Sequence, residues 1–101
     1  MNTPQHSQGL IKITFKTNGV QVRALVDCGA QGNFISKVAM LRAGLQPTQK
    51  ADPYEITMAN GHSKWITHEV YATLTDKHES QTRVTLDVFE LATHDIILGL
   101  L

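Results

Sequence analysis

An all-β domain with one short helix is the fold class this chain predicts. Short runs of alternating apolar and polar residues recur along it, bounded by turn residues. Two Asn-Gly pairs fall between such runs, and a single segment carries helical start and stop signals. At 101 residues the chain suits one small domain, able to bury about 60–65% of its unfolded surface. The stability margin of so small a domain is thin, so association with a second copy is expected from the start.

The opening Met1–Gly9 is polar, has almost no apolar surface to bury, and is expected to be a flexible arm preceding a domain over 10–101. Leu10, Ile11, Ile13 and Phe15 make a strand; Asn18-Gly19 makes a tight turn; Val20, Val22, Ala24 and Val26 make the returning strand, which runs into Asp27. Asn33-Phe34-Ile35 follows, and Ser36 is placed as the N-cap of a helix over Lys37–Ala43 that Gly44 stops. Val38 and Leu41, with Ala39 and Met40, form its apolar stripe. Pro47 and Pro53 bracket a polar loop. Tyr54–Ala59, the Asn60-Gly61 turn and the run Lys64–Thr75 form a second hairpin. Asp76–Gln81 is a further turn, and Val84, Leu86 and Val88 mark a strand continuing to Leu91. The chain finishes in His94-Asp95-Ile96-Ile97-Leu98-Gly99-Leu100-Leu101. Strands so spaced, with one helix, indicate a small closed β-barrel or sandwich, mostly antiparallel.

Composition excludes several function classes. Nine basic residues balance nine acidic ones with no basic cluster, so nucleic acid finds little to hold by phosphate neutralisation. No apolar run approaches the roughly 18–20 residues that span a bilayer, and no membrane partner is expected. The polar opening lacks the apolar middle of a secretory signal. A single Cys28 allows no intrachain disulfide and builds no Cys-rich zinc site, so a reducing, intracellular setting is expected, with no cofactor and no metal.

Asp27 is the sharpest chemical feature. It ends an apolar strand and is followed within two residues by Gly29 and Ala30, a turn that can hold a carboxylate at the mouth of a core. Partly buried carboxylates are the groups whose pKa can be moved for acid–base work. The plain reading, an Asp that opens a turn by accepting backbone N–H groups, fits the spacing as well.

Ala24-Leu25-Val26-Asp27-Cys28-Gly29-Ala30, followed by Asn33-Phe34-Ile35-Ser36, resembles the active-site segment of retropepsin-like aspartic proteases, with the gypsy-type LTR-retrotransposon members the nearest in pattern. Ile56–Gly61 resembles the family's flap, Ser36–Leu45 its short helix and Gly-Leu, and Asp95–Gly99 its hydrophobic-hydrophobic-Gly signature. The resemblance spans Leu10 to Leu101. It implies a homodimeric endopeptidase that cleaves a retrotransposon-type polyprotein, in the cytoplasm or within virus-like particles. Asp27 would be catalytic. Gly29 and Ala30 would floor the substrate site, Met58, Ala59, Asn60 and Gly61 would close over an extended peptide, and Ile97 and Gly99 would support the loop. Cys28 stands where the family has Thr or Ser, whose hydroxyl braces the two active-site loops; a thiol is a weaker donor and acceptor.

The chemistry requires two carboxylates sharing one proton, since like charges a few Å apart cannot both ionise cheaply. Asp52, Asp76, Asp87 and Asp95 lack a following x-Gly, so the second carboxylate has to come from Asp27 of another copy. The alternative is a domesticated or inactive domain of the same fold that binds peptide or dimerises without cutting, which Cys28 motivates. An unrelated β-domain for protein interaction is a third reading. Other chemistries are weaker: no spacing pairs Cys28 with His62, His68, His78 or His94, and His62 and His68 lack a third metal ligand. Trp65 and Tyr71 read as packing residues, Trp65 bordering the cleft if the flap assignment holds.

Overall fold

The structure is a computed structural model and describes residues 10–27 and 29–99. The arm and Cys28 lie outside the described residues. Seven strands and one helix follow in the order β1 (Leu10–Thr17), β2 (Val20–Asp27), β3 (Phe34–Ile35), α1 (Lys37–Arg42), β4 (Thr48–Thr57), β5 (Ser63–Thr75), β6 (Gln81–Val88) and β7 (Ile96–Gly99).

The β1–β2 hairpin turns at Asn18 and Gly19, both at positive φ (51° and 75°), as a two-residue turn joining twisted strands requires. The Asn18 amide also donates to the Ala43 carbonyl at 2.9 Å, pinning the turn to the end of α1. One sheet of order β1-β2-β7-β3-β6-β5-β4 wraps round until β1 meets β5 at Lys16 and Thr75, closing six strands into a barrel. Two pairings are parallel, β2 with β7 and β3 with β6, and both join segments distant in sequence. The alternating inward residues of these strands, among them Val22, Ala24, Ile35, Val70, Leu74, Leu86 and Ile96, make one core.

Ser36 caps α1, its Oγ accepting the Ala39 amide at 3.0 Å, and Gly44 follows the helix at φ 67°. The buried face is not the expected stripe. Ala39, Met40 and Ala43 pack into the core, while Val38 and Leu41 are 70% and 65% exposed. A helix of under two turns covers the barrel end with one narrow face, and small side chains let it sit close.

The polar stretch between Pro47 and Pro53 is strand, not loop: β4 begins at Thr48 and includes Pro53. As the sheet's edge it pairs only with β5, so polar side chains and a proline without an N–H are tolerated. β6 ends at Val88 rather than Leu91: its pairing with β5 stops at Asp87 and that with β3 at Val88, with the Phe89 amide making a last bond to the Ile35 carbonyl. From Glu69 to Thr75, β5 is paired with β6; nearer its start it pairs with β4 alone. That stretch therefore projects as a two-stranded ribbon.

Candidate active site

The site is built at the end of β2. Parallel pairing of β2 with β7 sets Asp27 beside Gly99, with Val26 beside Leu98 and Leu25 beside Ile97. Asp27 is half-buried there, and its Oδ1 accepts the Gly29 amide at 2.9 Å while its carbonyl accepts the Ala30 amide at 3.0 Å. The turn thus ties the carboxylate to its own loop through the Gly29 N–H, while the Ala30 N–H closes the turn on the backbone. The plain reading of Asp27 is met here: it opens a turn by accepting backbone N–H groups.

Gly99 lies against the loop so closely that a Cβ on it would be 2.6 Å from the Ala30 carbonyl oxygen and 2.8 Å from that of Gly32. Its amide donates to the Gly32 carbonyl at 3.1 Å and to Asn33 Oδ1 at 3.0 Å. Ile97, also in β7, lies between Leu25 of β2 and Phe34 of β3 and is half-buried. Asp27, Gly29, Ala30, Ile97 and Gly99 are thereby brought together by strand pairing and by the side-chain bonds of Asp27 and Asn33.

Met58, Ala59, Asn60 and Gly61 form the tip of the β4–β5 ribbon. The Gly61 amide donates to the Met58 carbonyl at 2.9 Å, the Met58 amide to that of His62 at 2.7 Å, and Gly61 takes φ 87°. This is a three-residue hairpin loop closed by a left-handed glycine, unlike the two-residue turn at Asn18-Gly19. Asn60 Oδ1 accepts the His62 amide at 2.9 Å. Among the described residues, no hydrogen bond joins this tip to the Asp27 loop. Trp65 sits on the returning strand opposite Glu55 and is exposed. Farther along the ribbon, Lys64 forms an ion pair with Glu90, which holds the Glu90 carboxyl below its ordinary range.

Three residues that carry the geometry are not among the expected site residues, although Asn33 and Asp95 fall inside the motif segments. Asn33 receives the Gly99 amide on its side chain and the Asp87 amide on its carbonyl at 2.8 Å. Asp95 Oδ2 accepts the Arg23 amide at 2.8 Å and Arg42 Nη2 at 3.1 Å, tying β2, α1 and the entry to β7. Asp87 is the third, and it joins a semi-buried ionic network described below. The first two are small polar residues flanking a signature, a pattern that a search for unpaired backbone groups would have found.

Among the described residues no group of three or more His, Cys, Asp or Glu is placed to hold a metal ion, and no helix is long and apolar enough to cross a membrane. A groove of about 740 Å³ lies elsewhere, between β1 and the turn after β5, lined by residues such as Lys12, Phe15, Asp76 and His78.

A barrel closed in this way, with an Asp at a strand end over a glycine-backed loop and a projecting hairpin, is the retropepsin-like fold. The retroviral protease-like domain of Ddi1 from Leishmania major shares it at a TM-score of 0.58 and 17% identity, over 89% of this chain and 69% of that one. A family model for the PEG10/RTL1 protease domain matches residues 23–101. The chain belongs to this family of retropepsin-like, gypsy-derived protease domains. No curated protein matches it.

Proposed function

We propose that the chain is one half of a homodimeric aspartic endopeptidase that acts on a retrotransposon-type polyprotein. The observation that carries this reading is the half-buried Asp27 carboxylate, held by the Gly29 amide over the Gly99-backed loop. Asp27 is followed by the chain's only Asp-x-Gly glycine, so a second copy supplies the second carboxylate. The two share one proton: one takes a proton from the attacking water, the other protonates the scissile carbonyl. Gly29 and Ala30 floor the site and the Met58–Gly61 tip closes over an extended peptide, which binds as an added strand with alternating side chains in apolar pockets. Ile97 and Gly99 hold the loop at its height. The protease domain covers 10–101, and it works inside the cell, in the cytoplasm or in virus-like particles, without a cofactor.

The test is cleavage of a diverse peptide library across mildly acidic to neutral pH, with Asp27→Asn alongside. Cuts that vanish in the variant, at rates rising more steeply than linearly with protein concentration, are expected. Absence of Asp27-dependent cutting overturns the reading.

Cys28 favours a second reading, a domain that pairs or binds peptide without cutting. Sedimentation of the same sample distinguishes it: a dimer with no cleavage is its signature. Under the first reading Cys28→Thr restores the family's hydroxyl and is expected to tighten the dimer and raise the rate; unchanged dimer affinity counts against the brace.

A further inference from the structure

The ladder between β4 and β5 is interrupted. Gln49 pairs with His68 and Tyr54 with Ile66, so Lys50, Ala51, Asp52 and Pro53 stand opposite Thr67 alone. β4 is also poorly anchored by packing: none of its residues is buried, and only Lys50 and Ile56 are half-buried. A strand with a broken ladder and almost no core contact needs another tether if the hairpin it carries is to keep its place.

The tether is ionic. Glu69 and Asp87 face each other across β5 and β6, a pairing of like charges that is unfavourable by itself. Lys50 Nζ lies between them, 3.0 Å from Glu69 Oε1 and 2.9 Å from Asp87 Oδ1, and the three side chains are only 15–17% exposed. The remaining oxygens are taken by two tyrosines: Tyr54 donates to Asp87 Oδ2 at 2.5 Å and Tyr71 to Glu69 Oε2 at 3.0 Å. Lys50 also lies 5.6 Å from the centre of the Tyr54 ring. Lys50 opens the interrupted stretch and Tyr54 follows it, so Asp87 grips β4 at both its ends. Through its backbone the same residue donates to the Asn33 carbonyl, and Asn33 holds the Gly99 amide beneath the Asp27 loop.

We propose that Asp87 is a positioning residue that sets the β4–β5 hairpin relative to the Asp27 loop, clamping the hinge at Lys50–Tyr54 from one side and the loop from the other. Its consequence for catalysis rests on the endopeptidase reading; the clamp itself does not.

Hydrogen exchange on the full chain tests it, comparing wild type with Asp87→Asn, Tyr54→Phe and the double variant. A hydrogen bond to a charged group in a semi-buried setting predicts exchange in residues 50–62 roughly tenfold faster or more in Asp87→Asn. A smaller acceleration in the same residues is expected for Tyr54→Phe, which adds less in the Asp87→Asn background than alone. Exchange unchanged in 50–62, or accelerated equally throughout the molecule, overturns the proposal. Should Asp87→Asn fail to fold, Tyr54→Phe decides by the same criterion. In peptide cleavage the clamp variants are expected to raise KM and keep kcat, and a fall in kcat at constant KM counts against hairpin positioning. A wild type that cuts nothing defeats the endopeptidase reading and leaves the exchange result to judge Asp87.

Discussion

At the scale of single residues, the site depends on what is missing from Gly99. The two carbonyl oxygens that a Cβ would strike belong to the backbone of the Asp27 loop, so neither can swing aside as a side-chain tip would. Gly99→Ala is therefore expected to lift the loop, lowering stability by about 1–3 kcal/mol as overpacking does, read from the denaturant midpoint. It should also abolish any Asp27-dependent cleavage. The ionic network makes a second prediction. Burial, and then the bond to Asp87, push the Tyr54 hydroxyl from 10.0 up to about 12, and hydrogen bonding to Asp87 and Glu69 lifts Lys50 above 10.5. Both groups hold their protons more tightly folded than unfolded, so their contribution is complete below the unfolded values and is lost as pH rises through the folded ones. The urea midpoint should fall as pH climbs from 10 through about 12, and Tyr54→Phe should make that fall shallower. Asp27 and its glycines were legible in the sequence because they form a contiguous motif. The network was not, since its members lie 19 and 37 positions apart and meet only through strand order.

At the scale of elements, local rules did well where local physics decides. The first hairpin, the Ser36 cap and the Gly44 stop follow from turn and cap chemistry and appear as expected. Replacing Ser36 by Ala should cost about 1 kcal/mol, the usual worth of an N-cap. The helix stripe was misread because periodicity cannot say which face of a very short helix meets the core. Met40→Ala is accordingly expected to cost about 2–5 kcal/mol, while Val38→Ser should stay within about 0.5 kcal/mol; thermal or urea unfolding of the pair checks the assignment. β4 was hidden for a different reason. An edge strand needs no apolar alternation, and its polar run between two prolines looks like a loop until a partner strand is in view.

At the scale of the whole molecule, the barrel is held by pairings that join opposite ends of the chain, and these were beyond any local reading. The order of β7 between β2 and β3 places the last described strand in the middle of the sheet, directly under the site. A protomer so built carries one Asp27 at its surface mouth, and the concentration dependence of cleavage is the measurement that tells a two-copy site from a single-chain one. The same topology has a consequence for biosynthesis. The contacts that shape the Asp27 loop reach 66 residues to Gly99, and the anchor of the β7 entry reaches 72 from Arg23 to Asp95. A growing polypeptide has β1 and β2 available early and can close their hairpin at once, but the floor beneath the carboxylate does not exist until residue 99 has been made. Translation itself thus sets the order of events: the carboxylate emerges long before the strand that backs its loop, and an unfinished chain carries that loop with no floor beneath it.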